Sequence, residues 1–189
     1  LMYRAVDLKV IRCHPFEDAT YEKEERKIRF LQKSDVAKLM ALKVNDREAE
    51  QARQMFLFSC FTGLAIADME CLKFSHIQTA ADGRRYIRKE RQKTEVESIV
   101  PLHPIAEAIL SRCQEEQTVK EKGDDLVFPC SCSRSTMNNK LSTVGKACGI
   151  RQHLSFHMAR HTFGTLSLSA GIPIESIAKM MGHASISST

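Results

Sequence analysis

The sequence predicts a mainly α-helical fold carrying one small three-stranded antiparallel β-sheet. Three observations lead there. Apolar residues recur at three- and four-residue spacing through most of the chain, as one buried helical face requires. Between residues 74 and 100 that period gives way to short runs of strand-forming residues. Those runs are separated by Ala81-Asp82-Gly83 and by Lys93-Thr94-Glu95, clusters of the kind that reverse a chain.

Each element has its own reason. Leu1 to Ile11 has a helical rhythm that stops at the breaker His14-Pro15-Phe16, and the charged stretch Glu17 to Lys27 reads as a linker or arm. Ser34 is a plausible N-cap for a helix with Val36, Leu39 and Met40 on one face. Asp46 caps a longer helix whose Ala49, Ala52, Met55, Phe56 and Cys60 face a core, ending near Thr62-Gly63. A short helix follows over Ala67–Leu72. Phe74–Thr79, Arg85–Arg91 and Val96–Val100 are the three strands. Pro104 opens a helix over Ile105–Glu116, with Ile105, Ala108, Ile109 and Cys113 inward. Glu121–Asp125 is a loop and Leu126–Pro129 a short extended piece. Ser135 caps a helix bearing Met137, Leu141, Val144 and Cys148, closed by Gly149. Phe156–Ala170 forms a helix ended by Gly171, and Pro173 sits in the first turn of a last helix that Gly182 ends. There is no internal repeat and no low-complexity segment.

Bulk properties narrow the function only coarsely. With 189 residues the chain is long enough for one domain with a real core, and its 43% hydrophobic content fits a globular protein. Mean hydropathy is -0.28, no apolar run reaches the roughly 18 residues of a spanning helix, and the first residues lack the apolar core of a signal peptide. A net charge of +5 leans only weakly toward a polyanionic partner. Four of the seven cysteines (Cys60, Cys71, Cys113 and Cys148) sit inside helical patterns as small hydrophobes. Cys130 and Cys132 form a lone C-x-C with no second pair at finger spacing, so no metal site is expected and a reducing, cytoplasmic compartment is the simpler reading.

The chemistry concentrates in His157-Met158-Ala159-Arg160-His161-Thr162-Phe163. Spacings of three and four put His157, Arg160 and His161 on one helical face. That face offers proton donors and acceptors beside a permanent cation with a planar fork, a combination suited to a phosphate oxygen. Histidines four apart also suit zinc, but no glutamate lies between them and Arg160 would repel a metal. About one helix later comes Met181-Gly182-His183-Ala184-Ser185-Ile186, followed by Ser187-Ser188-Thr189.

The two motifs, in this order and spacing, resemble the C-terminal signature of the tyrosine recombinases, or phage-type integrases, and most of all the integrases of Bacteroides-type mobile elements. The resemblance runs from about Phe30 to Thr189. Thr62-Gly63-Leu64, with Asp68 and Leu72 after it, is similar to the family's T-G-L segment; Gln92-Lys93-Thr94 is similar to its hairpin lysine; His14-Pro15-Phe16 resembles the junction before the catalytic domain.

The resemblance implies the catalytic-domain fold of the DNA breaking-rejoining enzymes. Residues 1–21 would be the tail of an N-terminal core-binding domain plus linker, and 22–189 a catalytic domain that stops short of its nucleophile. It implies DNA cleavage through a 3′-phosphotyrosyl intermediate, a form of covalent catalysis needing no cofactor and no metal. Lys93 would protonate the leaving 5′ oxygen, Arg160 would clamp nonbridging oxygens, and His157 and His183 would add hydrogen bonds and manage the tyrosine proton. Arg91, Lys93, Lys140 and His161, with Arg88 and Lys89, would contact DNA. The implied partners are double-stranded DNA recombination sites, further copies forming a tetrameric synapse, and accessory DNA-bending proteins, in the bacterial cytoplasm at the nucleoid with no membrane involved. The isolated piece would be monomeric.

Two departures stand out. The family places an arginine two residues after Thr-Gly, where this chain has Ala65; Lys73, Arg84 and Arg85 are conceivable substitutes. The attacking tyrosine is expected shortly beyond Thr189, and Tyr3, Tyr21 and Tyr86 occupy none of the expected positions. Three other readings remain open: a cleavage-deficient DNA-binding relative, a type IB topoisomerase, and a structural zinc protein.

Overall fold

A computed structural model describes residues 2–14, 29–91, 96–118, 125–129 and 132–182. The helices are α1 (Met2–Asp7), α2 (Lys33–Ala41), α3 (Arg47–Thr62), α4 (Ile66–Glu70), α5 (Pro104–Thr118), α6 (Arg134–Ala147), α7 (Phe156–Ser169) and α8 (Ile174–Met180). Between α4 and α5 lie a 3-10 turn (Phe74–His76) and strands β1 (Ile77–Thr79), β2 (Arg85–Glu90) and β3 (Glu97–Pro101). The strands form one sheet in the order β1-β2-β3, antiparallel throughout, with Ile77 opposite Ile87 and Ile87 opposite Val100. The expected fold class is the observed one.

Helix α3 is the axis of the molecule. Its apolar residues are so densely spaced that it is buried nearly all round from Ala49 to Cys60, and α5, α6 and α7 pack against it. Phe56 meets Phe156 of α7, and Phe58 meets the Phe128 ring edge-on at 5.2 Å. The one cation in this buried stretch, Arg53, is paired with Glu50 and donates to the Leu39 carbonyl at 2.7 Å. It thereby satisfies an acceptor in the last turn of α2 that helix geometry leaves unpaired.

Several boundaries differ from the sequence expectation, each for a physical reason. The cap of α2 is Gln32, not Ser34, and Met40 is 42% exposed because α2 presents only Val36 and Leu39 to the core. Ser133, not Ser135, caps α6: its hydroxyl accepts from the Thr136 amide, the geometry an N-cap needs. Pro173 is the N-cap of α8 rather than a first-turn residue. On α5, Cys113 is buried and Ile109 packs against the core as expected, but Ala108 is exposed and the other buried positions are Ala106 and Leu110. The first strand is shorter than expected because Phe74–His76 coils into a 3-10 turn, with the Phe74 amide donating to the Asp125 carbonyl at 2.9 Å.

Glycine matters at two junctions that set the site. Gly63 ends α3 in the left-handed conformation, φ 68°, and its amide donates to the Ser59 carbonyl at 2.8 Å. A Cβ on Gly63 would lie 2.5 Å from Phe163 Cδ1, so only glycine lets α3 and α7 approach this closely. Gly182, φ 58°, closes α8 in the same way.

Candidate phosphate-binding site

The side chains of the α7 motif are fixed from its first turn. Ser155 caps the helix by accepting from the Met158 amide, and Thr162 anchors the opposite face, accepting from the Leu31 amide at 2.9 Å. His157 and His161 do share a face: their Nε2 atoms are 2.8 Å apart and their rings meet edge-on. In that contact one nitrogen donates and the other accepts, so the pair holds at least one neutral acceptor nitrogen. Burial lowers the His161 pKa, and His157 and Arg160 lower it further. His157 itself is exposed.

Arg160 turns inward from that face and is 8% exposed. Its guanidinium donates through Nη1 to the Gly63 carbonyl and through Nη2 to the Met181 carbonyl at 2.6 Å. The side chain thus ties the turn after α3 to the end of α8. No carboxylate is among its hydrogen-bond partners within the described residues. Burial, and next the neighbouring Arg91, lower its pKa to about 10, so it remains a cation at neutral pH.

Arg91, just past the end of β2, reaches the same place. Its Nε donates to Asp68 at 3.1 Å, and its Nη1 donates to the carbonyl of Met181 and, at 3.4 Å, to that of Gly182. Asp68 is buried on α4. Two guanidiniums from distant parts of the chain therefore converge on one carbonyl oxygen, with a buried carboxylate behind one of them. The sequence marked Arg91 as a contact to DNA but not as a buried neighbour of Arg160. The Gly63 and Met181 carbonyls it missed altogether, since a backbone acceptor has no side-chain signature.

The other expected residues are distributed differently. Lys93 and His183 lie outside the described residues, as do Gln92, Tyr21 and Cys130. The hairpin carrying Lys93 is closed at its base, the Arg91 amide donating to the Val96 carbonyl. Lys140 is held at the start of α3: Asp46 and Glu48 both bind its ammonium, and their hydrogen bonds raise its pKa. On the hairpin, Arg88 is paired with Glu97, and Lys89 donates to the Cys71 carbonyl at 3.3 Å. Of the substitutes considered for position 65, Lys73 is exposed and its backbone joins the 3-10 turn. Arg84 is paired with Asp82 in an exposed turn. Arg85 stands at the far end of β2, roughly 20 Å from Arg91 at the usual strand rise. Ala65 itself caps α4 through its backbone.

The Phage integrase family model matches residues 29–189. The chain belongs to the phage integrase family.

Among curated relatives, the tyrosine recombinase XerC of Yersinia pestis is 24% identical over 159 residues, 82% of this chain and 51% of the relative. XerD of Listeria monocytogenes is 28% identical over 148 residues, 74% of this chain and 48% of the relative. The chain thus spans about half the length of these relatives. A solved lambda integrase dimer bound to a COC′ core site superposes with TM-score 0.71 at 19% identity, over 97% of this chain and 53% of that one. The Tn1549 transposon integrase in complex with a circular intermediate DNA gives TM-score 0.67 at 17% identity, over 98% and 68%. The fold is that of the tyrosine recombinase catalytic domains. Among the described residues, no helix is long and apolar enough to cross a membrane and no cluster of three or more metal-ligating side chains occurs.

Proposed function

We propose that this chain is the catalytic domain of a site-specific DNA recombinase, residues 22–189, preceded by the tail of a core-binding domain. The observation that carries the reading is Arg160: a buried cation, held by the two turns that bear the family's motifs, with no carboxylate among its described partners. The nearby Asp68 offsets part of its charge, but Arg91 adds a second cation beside it, and burying an excess of cations is costly. A site that does so is preorganised for an anion, here the scissile phosphate of double-stranded DNA.

In this reading a tyrosine carried beyond Thr189 attacks the phosphorus. The bond to the 5′ oxygen breaks, and a 3′-phosphotyrosyl link forms. Arg160 holds nonbridging oxygens, His157 and His183 hydrogen-bond them and take up the tyrosine proton, and Lys93 protonates the leaving 5′ oxygen. A 5′ hydroxyl of another strand then reverses the step, releasing the tyrosine. His161 supports His157 and lies beside the DNA. No cofactor or metal enters the scheme. The natural substrate is the end of a mobile element of the Bacteroides type, integrated or excised by a tetramer with accessory DNA-bending proteins, in the bacterial cytoplasm at the nucleoid.

The test uses the full-length protein and a nicked duplex carrying its own element's end. A denaturant-stable protein–DNA adduct is expected, and Arg160→Ala should slow its formation by roughly 10²–10³-fold. Ala65 favours a second reading, a DNA-binding relative that does not cleave; tight binding with no adduct on a verified site would establish it.

A further inference from the structure

We propose that His157 and His161 form a two-nitrogen chelate for a divalent transition-metal ion of the nickel(II) or copper(II) class, and that an ion held there blocks the phosphate site. The chelate stands on geometry alone, whereas the blockade rests on the recombinase reading above.

The two Nε2 atoms lie 2.8 Å apart on one face of α7. Metal–imidazole bonds are about 2.0–2.1 Å long. Two such bonds spanning 2.8 Å meet at the ion close to a right angle. That is the angle between neighbouring positions of a square-planar or octahedral ion. A tetrahedral ion would hold the nitrogens about 3.3 Å apart, so the spacing favours nickel(II) or copper(II) over zinc. Without an ion, one nitrogen donates to the other and the rings meet edge-on. To take the ion, the donor ring changes tautomer and carries its proton on Nδ1. Both Nε2 lone pairs are then free to turn on to a single point, with no net change in charge on the ligands.

Three further observations support the site. First, the backbone beneath it is fixed: Ser155 accepts from the Met158 amide and Thr162 from the Leu31 amide, so the ion does not have to organise the helix. Second, His157 is exposed, so an ion arrives from solvent and water completes its coordination. Third, Arg160 does not stand in the way. Its sequence spacing placed it on this face as a cation that would repel a metal. In the structure its guanidinium turns inward and donates to the Gly63 and Met181 carbonyls. The charge stays close enough to keep binding reversible, which suits an inhibitory ion and not a resident cofactor. An ion across the pair occupies the nitrogens that hydrogen-bond the phosphate in the recombinase reading.

The experiment titrates nickel(II) into tag-free full-length protein by calorimetry. Nickel(II) is the probe because it does not oxidise the exposed thiol of Cys13. His157→Gln and His161→Gln should each weaken binding at the site by roughly tenfold or more, since a chelate becomes a single imidazole. His153→Gln, in the exposed stretch before α7, should leave the titration unchanged. Circular dichroism of each variant should match wild type, which guards against misfolding. On the nicked duplex, nickel(II) at the concentration that fills the site should suppress adduct formation, and EDTA should restore it. Binding that survives both substitutions within about twofold overturns the chelate. Binding lost in both variants, with an adduct rate that bound nickel(II) does not change, overturns the blockade. A metal-free wild type that forms no adduct overturns the recombinase reading and the blockade with it, while the titration still decides the chelate.

Discussion

At the scale of single residues, the site is governed by how few groups balance its charge. Asp68 is buried and pairs with Arg91, so removing it leaves a guanidinium desolvated and uncompensated. Asp68→Ala should lower unfolding stability by about 3–5 kcal/mol, read from chemical denaturation. His161 supplies a pH dependence. Its pKa is held below the ordinary 6.5 by burial, then by His157 and Arg160. The unfolded chain therefore binds the proton more readily than the folded one. The stabilising contribution is complete above the unfolded pKa and is lost as pH falls through the folded one. Between about pH 7 and about pH 5, Tm should fall more for wild type than for His161→Gln; parallel curves would remove His161 as the source. The His157 and His161 face was legible in the sequence because i and i+4 neighbours meet on any helix. The inward turn of Arg160 was not, because its acceptors, Gly63 and Met181, lie 97 and 21 residues away.

At the scale of elements, α7 and the β2–β3 hairpin do different work. The cap at Ser155 fixes the first turn of α7, from which His157 and Arg160 project. Ser155→Ala should cost about 1 kcal/mol in stability and slow adduct formation, the second effect separating a site-bearing helix end from an ordinary one. Ser133→Ala at the start of α6 should cost a similar amount while leaving the adduct rate unchanged, since α6 carries none of the site. The hairpin was legible as strand runs with turn residues between them. What the sequence did not show is that Arg91, just past the end of β2, turns into the molecule, while Ser98 on β3 donates to the Met180 carbonyl. Both contacts bind the sheet to the end of α8, across 90 and 82 residues of chain. Lys140 shows the converse: a lysine that looked like a phosphate contact is held by Asp46 and Glu48 at the start of α3. Lys140→Ala should therefore leave the salt dependence of DNA binding nearly unchanged, whereas loss of a true phosphate contact would reduce the slope by about one.

At the scale of the whole molecule, a helix buried on nearly every side sets the distances between distant motifs. Phe56→Ala on α3 should cost about 3–5 kcal/mol because the ring lies at 0% exposure against Phe156. It should weaken the site as well, since Phe156 begins α7 and α7 holds the histidines and Arg160. By itself the sequence determined the fold class, the order of helices and strands, the punctuation by Gly63, Gly171 and Gly182, and the face that carries His157, Arg160 and His161. These follow from local periodicity and from backbone conformations that only certain residues adopt. Only the tertiary structure decided which arginine stands opposite Arg160, which lysines are neutralised, and which carbonyls receive the guanidiniums. Those choices depend on groups brought together across most of the chain, and on backbone oxygens that every residue has and no sequence pattern reveals.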